Sequence, residues 1–252
     1  MKKTDELIPL IAAYKAAERG QVDRKKFTYY AVTYHSTAIE GSTLTEGQVY
    51  NLLDQDMPAG NKSFSEQQMV IDHQKALVYT LNRAAEKQPL TEALIREIGG
   101  IVLRNTGGIY NTAAGTFDST RGEYRLVNVH AGARTFPGYD KVPSLMHALV
   151  EETNARLAEA HTFQQQCEAA FFAHFRLVSI HPFVDGNGRT SRLLMNYILS
   201  YFDLPVFYVF KSSRIRYIRV LETARETNRL SLFYSFLFTQ YKRFLKAGIK
   251  AV

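Results

Sequence analysis

The protein has 252 residues, of which 46% are hydrophobic and 22% are charged, a composition typical of a soluble globular protein and not of a disordered one. The formal net charge is +7, but lysines and arginines are spread along the chain. An evenly solvated basic surface is therefore the simplest interpretation, with a modest preference for anionic ligands. The single cysteine, Cys167, excludes an internal disulfide and a cysteine-based zinc cluster.

The location of the protein is predicted from its apolar segments. The N-terminus carries Asp5 and Glu6 and lacks an apolar stretch long enough for a signal peptide. The most apolar region, 193–210, is interrupted by polar residues and by Pro205, which argues against a membrane span. We therefore expect a cytoplasmic protein with no membrane partner.

Helical patterns fill the first hundred residues. The predicted helices cover 5–19, 27–41, 45–54, 65–87 and 91–104. The second of these ends at Gly41, since glycine is the residue that most often ends a helix.

The middle of the chain has a different character. Glycines are frequent between 105 and 138, and the alternating stretch 123–131 predicts a strand that forms half of a small hairpin. Helical patterns return further on, at 141–160, 163–180, about 189–202, 212–226 and 230–246. The sequence thus predicts a single domain over residues 1–252, with an all-α fold that contains one small β-hairpin.

One loop between two predicted helices contains many residues that could bind a ligand or take part in catalysis. It reads HPFVDGNGRTSR over 181–192. Pro182 ends the first helix, and a helix N-terminus follows, which offers unpaired N–H groups and the positive end of the helix dipole. Because Gly186 and Gly188 allow close backbone approach, the loop is suited to hold an anion, most simply phosphates.

The side chains of this loop favour the same chemistry. Arg189 and Arg192 share a helix face and can bind phosphate oxygens in pairs. Asp185 would be repelled by phosphate unless a divalent cation, Mg²⁺ or Mn²⁺, lay between them. His181 can accept a proton from an attacking hydroxyl. Each feature alone is more often structural, and it is their combination that favours a phosphate or nucleotide site.

The loop resembles the defining motif of the Fic family, H-x-F-x-(D/E)-G-N-G-R-x-x-R, at every specified position. The segment 122–137 is similar to the flap hairpin of that family, and the similarity extends over about residues 100–240, the expected Fic core. The resemblance implies a helical bundle with a β-hairpin flap over the active site. It also implies transfer of AMP from ATP to a Ser, Thr or Tyr hydroxyl of a target protein.

The resemblance further implies a role for each motif residue. His181 would be the general base, Phe183 would anchor the loop in the core, and Asp185 would hold Mg²⁺ between the α- and β-phosphates. The implied phosphate-binding residues are Gly186, Asn187 and Gly188 as an anion nest, Arg189 at the β-phosphate, Arg192 at the γ-phosphate, and Thr190 and Ser191 beside them.

Two further parts of the implied site are less specific. The flap edge formed by Val129, His130, Ala131 and Gly132 would align the target by strand addition, although a plain surface hairpin is the alternative. Tyr217 lies where relatives place an aromatic residue near the nucleotide, and a core tyrosine is the alternative. Where many relatives have an asparagine, this chain has Arg225, with Asn228 three residues later. The base contact and the nucleotide preference therefore stay open.

A second motif lies upstream, within the N-terminal helices expected over 1–60. The stretch STAIEG (36–41) matches the inhibitory motif of the family, (S/T)-x-x-x-E-(G/N), with Ser36 and Glu40 on one helix face. A glutamate at a helix C-terminus opposes the dipole, so a specific cationic partner is favoured. The resemblance implies that Glu40 pairs with Arg192 and turns the α-phosphate of ATP away from attack. In some relatives this glutamate instead positions water that removes AMP, and both roles stay open.

Several alternatives accompany the leading hypothesis of an autoinhibited adenylyltransferase. The same site could remove AMP or use another nucleotide, and a module that senses ATP without catalysis is the alternative of another class. His181 argues against that module, because binding alone needs no base. DNA binding would need a winged helix, for which the pattern leaves no room. The expected partners are ATP and a target protein, which could be the protein itself, and a homodimer is one allowed assembly.

Overall fold

The computed structural model describes residues 6–19, 23–131 and 134–250. These residues form ten α-helices: α1 (Leu7–Glu18), α2 (Arg24–Ile39), α3 (Glu46–Asp54), α4 (Phe64–Ala85), α5 (Glu92–Val102), α6 (Val142–Glu159), α7 (Phe163–Ile180), α8 (Asn187–Tyr201), α9 (Arg214–Glu226) and α10 (Leu230–Lys250). None of these helices is long and apolar enough to cross a membrane. The expected all-α architecture is confirmed.

Local sequence signals begin several of these helices. At α3, the Thr45 hydroxyl accepts the N–H of Gln48, and the Gln48 side chain accepts the N–H of Thr45. Thr162 and Gln165 form the same reciprocal pair at the start of α7. Each pair satisfies two backbone donors that would otherwise lack a partner. The start of α7 is thus set locally, at the far end of the helix from the motif loop.

Helices α7 and α8 lie at the centre of the bundle. Helix α8 packs against α4, α5 and α7, while α10 covers α7 and α9. Both central helices are buried on nearly every face, and the buried residues of α8 include Asn187, Arg189 and Arg192. Because burying a charge without a partner is costly, polar residues in such a helix need specific partners inside the bundle.

The β structure differs from the expectation in extent. Strand β1 (Ile109–Thr112) pairs antiparallel with β2 (Gly115–Asp118), a hairpin that the sequence pattern did not predict. In the predicted strand 123–131, only β3 (His130–Ala131) is a strand, and it pairs with β4 (Arg134–Thr135). The hairpin β3–β4 is the flap. The predicted strand 123–131 is therefore a strand only at its C-terminal end, His130–Ala131, where it forms half of a hairpin. The prediction of a strand over 123–129 was wrong.

The buried side chain of Arg125 explains why 123–129 is not a strand. Its guanidinium donates to the carbonyl oxygens of Val127 at 2.8 Å and Pro137 at 2.6 Å, and its Nε donates to that of His181 at 2.8 Å. Within the segment, the carbonyl of Val127 is thus satisfied by a side chain, and the N–H of Arg125 donates to the oxygen of Pro182 at 3.0 Å, so neither group pairs with a neighbouring strand. The bonds to Val127 and Pro137 join the two sides of the flap base, and the bond to His181 attaches that base to the motif loop.

Helix α2 ends close to the expected position. It runs over Arg24–Ile39 instead of 27–41, and Glu40 is its C-cap residue. Gly41 follows with φ of 108°, a conformation that side chains with a Cβ rarely adopt. The helix therefore stops where Glu40 can turn toward the bundle.

Candidate active site

A cavity of about 190 Å³ lies where the ends of several elements meet. The motif loop contributes His181, Gly188 and Arg192 to its wall, and α2 contributes Glu40. The residue Phe136 of the flap closes another side. A larger cavity of about 440 Å³, between α1, α2 and the segment after α8, is lined by none of the motif residues. The smaller cavity is therefore the candidate active site.

The first turn of α8 presents backbone donors at this site. Its first backbone hydrogen bond joins the N–H of Thr190 to the oxygen of Gly186 at 2.8 Å, so the N–H groups that precede Thr190 in the helix have no acceptor within it. Asn187 holds the loop in shape: its Oδ1 accepts from the N–H of Phe183, and its Nδ2 donates to the oxygen of Phe183, both at 2.9 Å. The turn is built to hold an anion.

The carboxylate of Glu40 lies at this turn. A methyl group added at Gly188 would overlap Glu40 Oε1, so glycine is needed there for the approach. Arg192 Nη2 donates to the same oxygen at 2.7 Å and to the carbonyl oxygen of Ser36 at 3.0 Å, while its Nε donates to Ser36 Oγ at 2.9 Å. Ser36, Glu40 and Arg192 are thus brought together, and Glu40 lies where a bound anion would lie.

Arg192 is almost completely buried, with 4% of its surface exposed. Burial is the largest single influence and lowers the pKa of its guanidinium, but the interactions with Glu40 and Tyr217 together outweigh it, so the pKa of Arg192 is raised. The arginine is therefore permanently charged and depends on its partners inside the bundle.

His181 is positioned as a base. It ends α7 in a left-handed conformation with φ of 56°, and its ring stacks on Phe136 with centroids 3.9 Å apart. Its Nδ1 lies 3.5 Å from the carbonyl oxygen of Val178, which assigns the ring hydrogen to Nδ1 and leaves Nε2 as an acceptor. Burial lowers the pKa of His181 to about 4. The imidazole is therefore neutral at pH 7 and able to take a proton.

Other residues of the predicted phosphate-binding set point elsewhere. Arg189 is buried, and it donates to Asp185 Oδ2 at 2.9 Å and to the carbonyl oxygen of Val102 at 3.4 Å. Thr190 and Ser191 are fully buried, and Ser191 Oγ donates to the oxygen of Gly188. In the described part of the chain these side chains support the loop, and the role of Arg189 at a β-phosphate stays a prediction.

The predicted nucleotide-contacting tyrosine is mostly enclosed. Tyr217 is 3% exposed, and its hydroxyl lies 2.8 Å from His174 Nε2, although its side chain also contributes to the cavity wall. Arg225 lines the cavity as well and donates to Ser179 Oγ and to the oxygen of Val178. The adenine contact of Tyr217 stays a prediction.

The flap contributes residues that the sequence did not single out. Phe136 covers His181, and the Arg134 guanidinium lies 4.5 Å from the centre of the Phe136 ring. His130 pairs with Thr135 across the hairpin. Of the predicted docking edge, Gly132 lies outside the described residues, and target docking at Val129, His130 and Ala131 stays a prediction. The only sequence signal that could have pointed to Phe136 is that a hydrophobic residue directly follows the predicted hairpin.

Comparison with known proteins identifies the family. Residues 89–199 match the model of the Fic/DOC family. The chain is 32% identical over 225 residues to Protein adenylyltransferase Fic of Drosophila grimshawi, covering 89% of this chain and 43% of that protein. It is 33% identical over 224 residues to the protein of the same name in Drosophila persimilis, covering 89% and 41%. The chain spans less than half the length of these curated relatives.

Solved structures share the fold over the whole chain. A Fic domain containing signaling protein from Bacteroides thetaiotaomicron superposes with a TM-score of 0.81 at 25% identity, covering 99% of this chain and 97% of that one. Fic-1 from C. elegans superposes with a TM-score of 0.80 at 26% identity, covering 100% and 71%. With the motif, the bundle and the flap in place, the chain belongs to the Fic/DOC family.

Proposed function

We propose that this chain is an autoinhibited protein adenylyltransferase, which transfers AMP from ATP to a Ser, Thr or Tyr hydroxyl of a target protein. The observation that carries the proposal is that His181 and Gly188 line one cavity. A neutral base therefore faces the same space as the donor-rich first turn of α8. The similarity to proteins named Protein adenylyltransferase Fic supports the same activity.

The residues suggest how the reaction proceeds. His181 Nε2 takes the proton of the target hydroxyl as its oxygen bonds to the α-phosphorus of ATP. The bond from the α-phosphorus to its bridging oxygen breaks, and pyrophosphate leaves with the electron pair. The N–H groups at the start of α8 stabilise the charge that develops on the phosphoryl oxygens. Arg192, when freed from Glu40, binds the γ-phosphate.

Magnesium fits this site through Asp185. Its side chain is 72% exposed, and Oδ2 bonds to Arg189, so Oδ1 is open to a cation. No group of three or more acidic, histidine or cysteine ligands occurs among the described residues. Mg²⁺ needs only one or two carboxylates when substrate phosphates supply other ligands. Asp185 would therefore hold Mg²⁺, which would neutralise phosphate charge.

The inhibition is proposed to come from competition for two groups. Glu40 takes both the Arg192 guanidinium and the space beside Gly188, and a triphosphate bound for in-line attack needs both. ATP with Glu40 in place would therefore bind with its α-phosphate turned away from the hydroxyl. Removal of the carboxylate frees the arginine and the turn together.

Incubation with labelled ATP and Mg²⁺ tests the proposal. We expect Glu40→Gly to incorporate much more AMP than the wild type, into a target or into the chain itself, and His181→Ala in that background to incorporate none. Glu159→Gly is the matched control, since Glu159 also ends a helix, α6, but lies on the surface. If Glu40→Gly binds ATP without transferring AMP, the protein is a nucleotide-sensing module and the enzymatic proposal is wrong.

We also infer a cytoplasmic location and a homodimer as the assembly to test first. The single cysteine, which cannot form an internal disulfide, supports a reducing compartment. Cell fractionation tests the first inference, and light scattering of the purified chain tests the second.

A further inference from the structure

Arg192 has a partner in addition to Ser36 and Glu40. The Tyr217 hydroxyl lies close enough to the Arg192 guanidinium for each group to shift the pKa of the other, and both side chains line the cavity. The same hydroxyl lies 2.8 Å from Nε2 of His174. The three side chains come from α8, α9 and α7 respectively, and at most 4% of any of these residues is exposed. They form a buried row of polar side chains that leads from the cavity into the core.

The chemistry of the three side chains determines which atom donates and which accepts. Arginine can only donate, so Tyr217 can present only its oxygen to Arg192, and its O–H donates to His174 Nε2. That nitrogen must then be unprotonated, which agrees with burial lowering the pKa of His174 to about 3. The ring hydrogen is on Nδ1, which has no hydrogen-bond partner among the described residues.

The hydrogen bond at Nε2 is what the imidazole contributes at this position. A buried polar atom without a partner destabilises the fold, and an apolar side chain at position 174 would avoid that loss. What the imidazole provides in return is an acceptor that orients the Tyr217 hydroxyl. The oriented oxygen then presents its lone pairs to Arg192, and successive hydrogen bonds strengthen one another.

We propose that His174 and Tyr217 are positioning residues that hold Arg192 ready for the γ-phosphate when Glu40 has left it. This inference rests on the proposed function. Ser36 lies in the last turn of α2 and Glu40 is its C-cap residue. A movement of this end of α2 would therefore withdraw both residues from Arg192. Tyr217 and His174 belong to other helices and remain. A held guanidinium loses less conformational freedom on binding phosphate than a free one.

Nucleotide affinities test this role. They are measured by calorimetry in a Glu40→Gly/His181→Ala background, where ATP is not consumed. We expect Tyr217→Phe to weaken ATP binding about tenfold and ADP binding less than about twofold, because only ATP has a γ-phosphate for the arginine. The matched control is Tyr241→Phe, another buried tyrosine, whose hydroxyl donates to the Pro205 oxygen at 2.7 Å. It should change neither affinity.

A purely structural role would weaken ATP and ADP equally, and that result, or no loss for ATP, overturns the proposal. The proposed function is judged separately by AMP transfer with His181 intact. If AMP transfer is absent but Tyr217→Phe still weakens ATP binding more than ADP binding, the proposed function is refuted and the positioning role is kept.

Spectra of ¹⁵N-labelled histidine provide a second readout. The His174 Nε2 nitrogen should be unprotonated in the wild type, and its chemical shift should change in Tyr217→Phe. A protonated Nε2 could not accept the Tyr217 O–H, and this result would overturn the proposed positioning role.

Discussion

Glu40 and Arg192 are 152 residues apart in the chain, and their side chains meet at 2.7 Å. The arginine is buried, whereas the Glu40 side chain is 35% exposed. The pair thus has one end in the core and the other at the wall of the cavity. Solvent and ligands can therefore reach the glutamate first, and this asymmetry makes Glu40 the partner that can leave.

The first prediction concerns the stability of that pair. Glu40→Gln keeps the size of the side chain and removes its charge, leaving buried Arg192 with neutral partners. We expect the free energy of unfolding to fall by about 1–3 kcal/mol, less than for a fully buried pair because Glu40 is partly solvated. Urea denaturation measures the change. In Arg192→Gln, the Glu40 substitution should have little further effect, and fully additive losses would contradict a direct interaction.

The second prediction concerns the pH dependence of catalysis. Burial, helped by the charges of Arg125 and Arg134, lowers the pKa of His181 to about 4, against the opposing influence of the Val178 carbonyl and of Glu40. The activity of Glu40→Gly should therefore stay level from neutral pH down to about pH 5. Phe136→Ala exposes the imidazole, so its pKa rises toward 6.5 and the acid limb of kcat/KM moves to higher pH.

Phe136→Tyr serves as its control, because it keeps the ring stacked on His181 and should keep the acid limb at low pH. An acid limb that stays at the same pH in Phe136→Ala would show that the flap does not set the pKa of the base.

The third prediction concerns acid stability. Burial lowers the pKa of His35 and of His181 to about 4 and that of His174 to about 3. The unfolded chain, with histidines near 6.5, binds these protons first, so stability is complete above pH 6.5 and falls as pH decreases toward 4. Each pKa unit below 6.5 contributes about 1.4 kcal/mol to that loss. Thermal melts between pH 7 and 4.5 measure it.

His35 offers a way to isolate one contribution. Its Nδ1 accepts the N–H of Lys211 at 3.2 Å, and its ring stacks on Tyr208. His35→Gln cannot titrate, and its melting temperature should depend less on pH than that of the wild type. An unchanged pH dependence would exclude His35 as a contributor.

The fourth prediction concerns the attachment of the flap. Arg125→Met removes three hydrogen bonds to backbone carbonyls, one of them at His181, while keeping much of the apolar stem. We expect a loss of about 2–4 kcal/mol in stability and faster hydrogen exchange in 123–131. Arg121→Met, on an exposed residue two positions before this segment, should change neither. Equal exchange in both variants would contradict an anchoring role.

The sequence alone determined the helical bundle and the motif loop, and it singled out the stretch 36–41 whose Ser36 and Glu40 contact Arg192. Helix periodicity and capping residues such as Thr45 and Thr162 act within a few residues, so they can be read locally. The loop at 181–192 could be interpreted because its glycines, its proline and the following helix are the local features typical of an anion site. The hairpin at 109–118 was missed because its strands are four residues long and largely exposed.

Only the tertiary structure decided which side chains face the cavity. Arg189 and Arg192 look equivalent in the sequence, yet packing turns Arg189 toward Asp185 and Val102 and leaves Arg192 with Ser36, Glu40 and Tyr217. The low pKa of His181 likewise depends on burial by Phe136, which comes from a separate segment. Residue types and their spacing define which chemistry is available, but burial and long-range contacts decide which residues face the cavity. The sequence pattern could not predict this, because it does not show which helix covers which face of another.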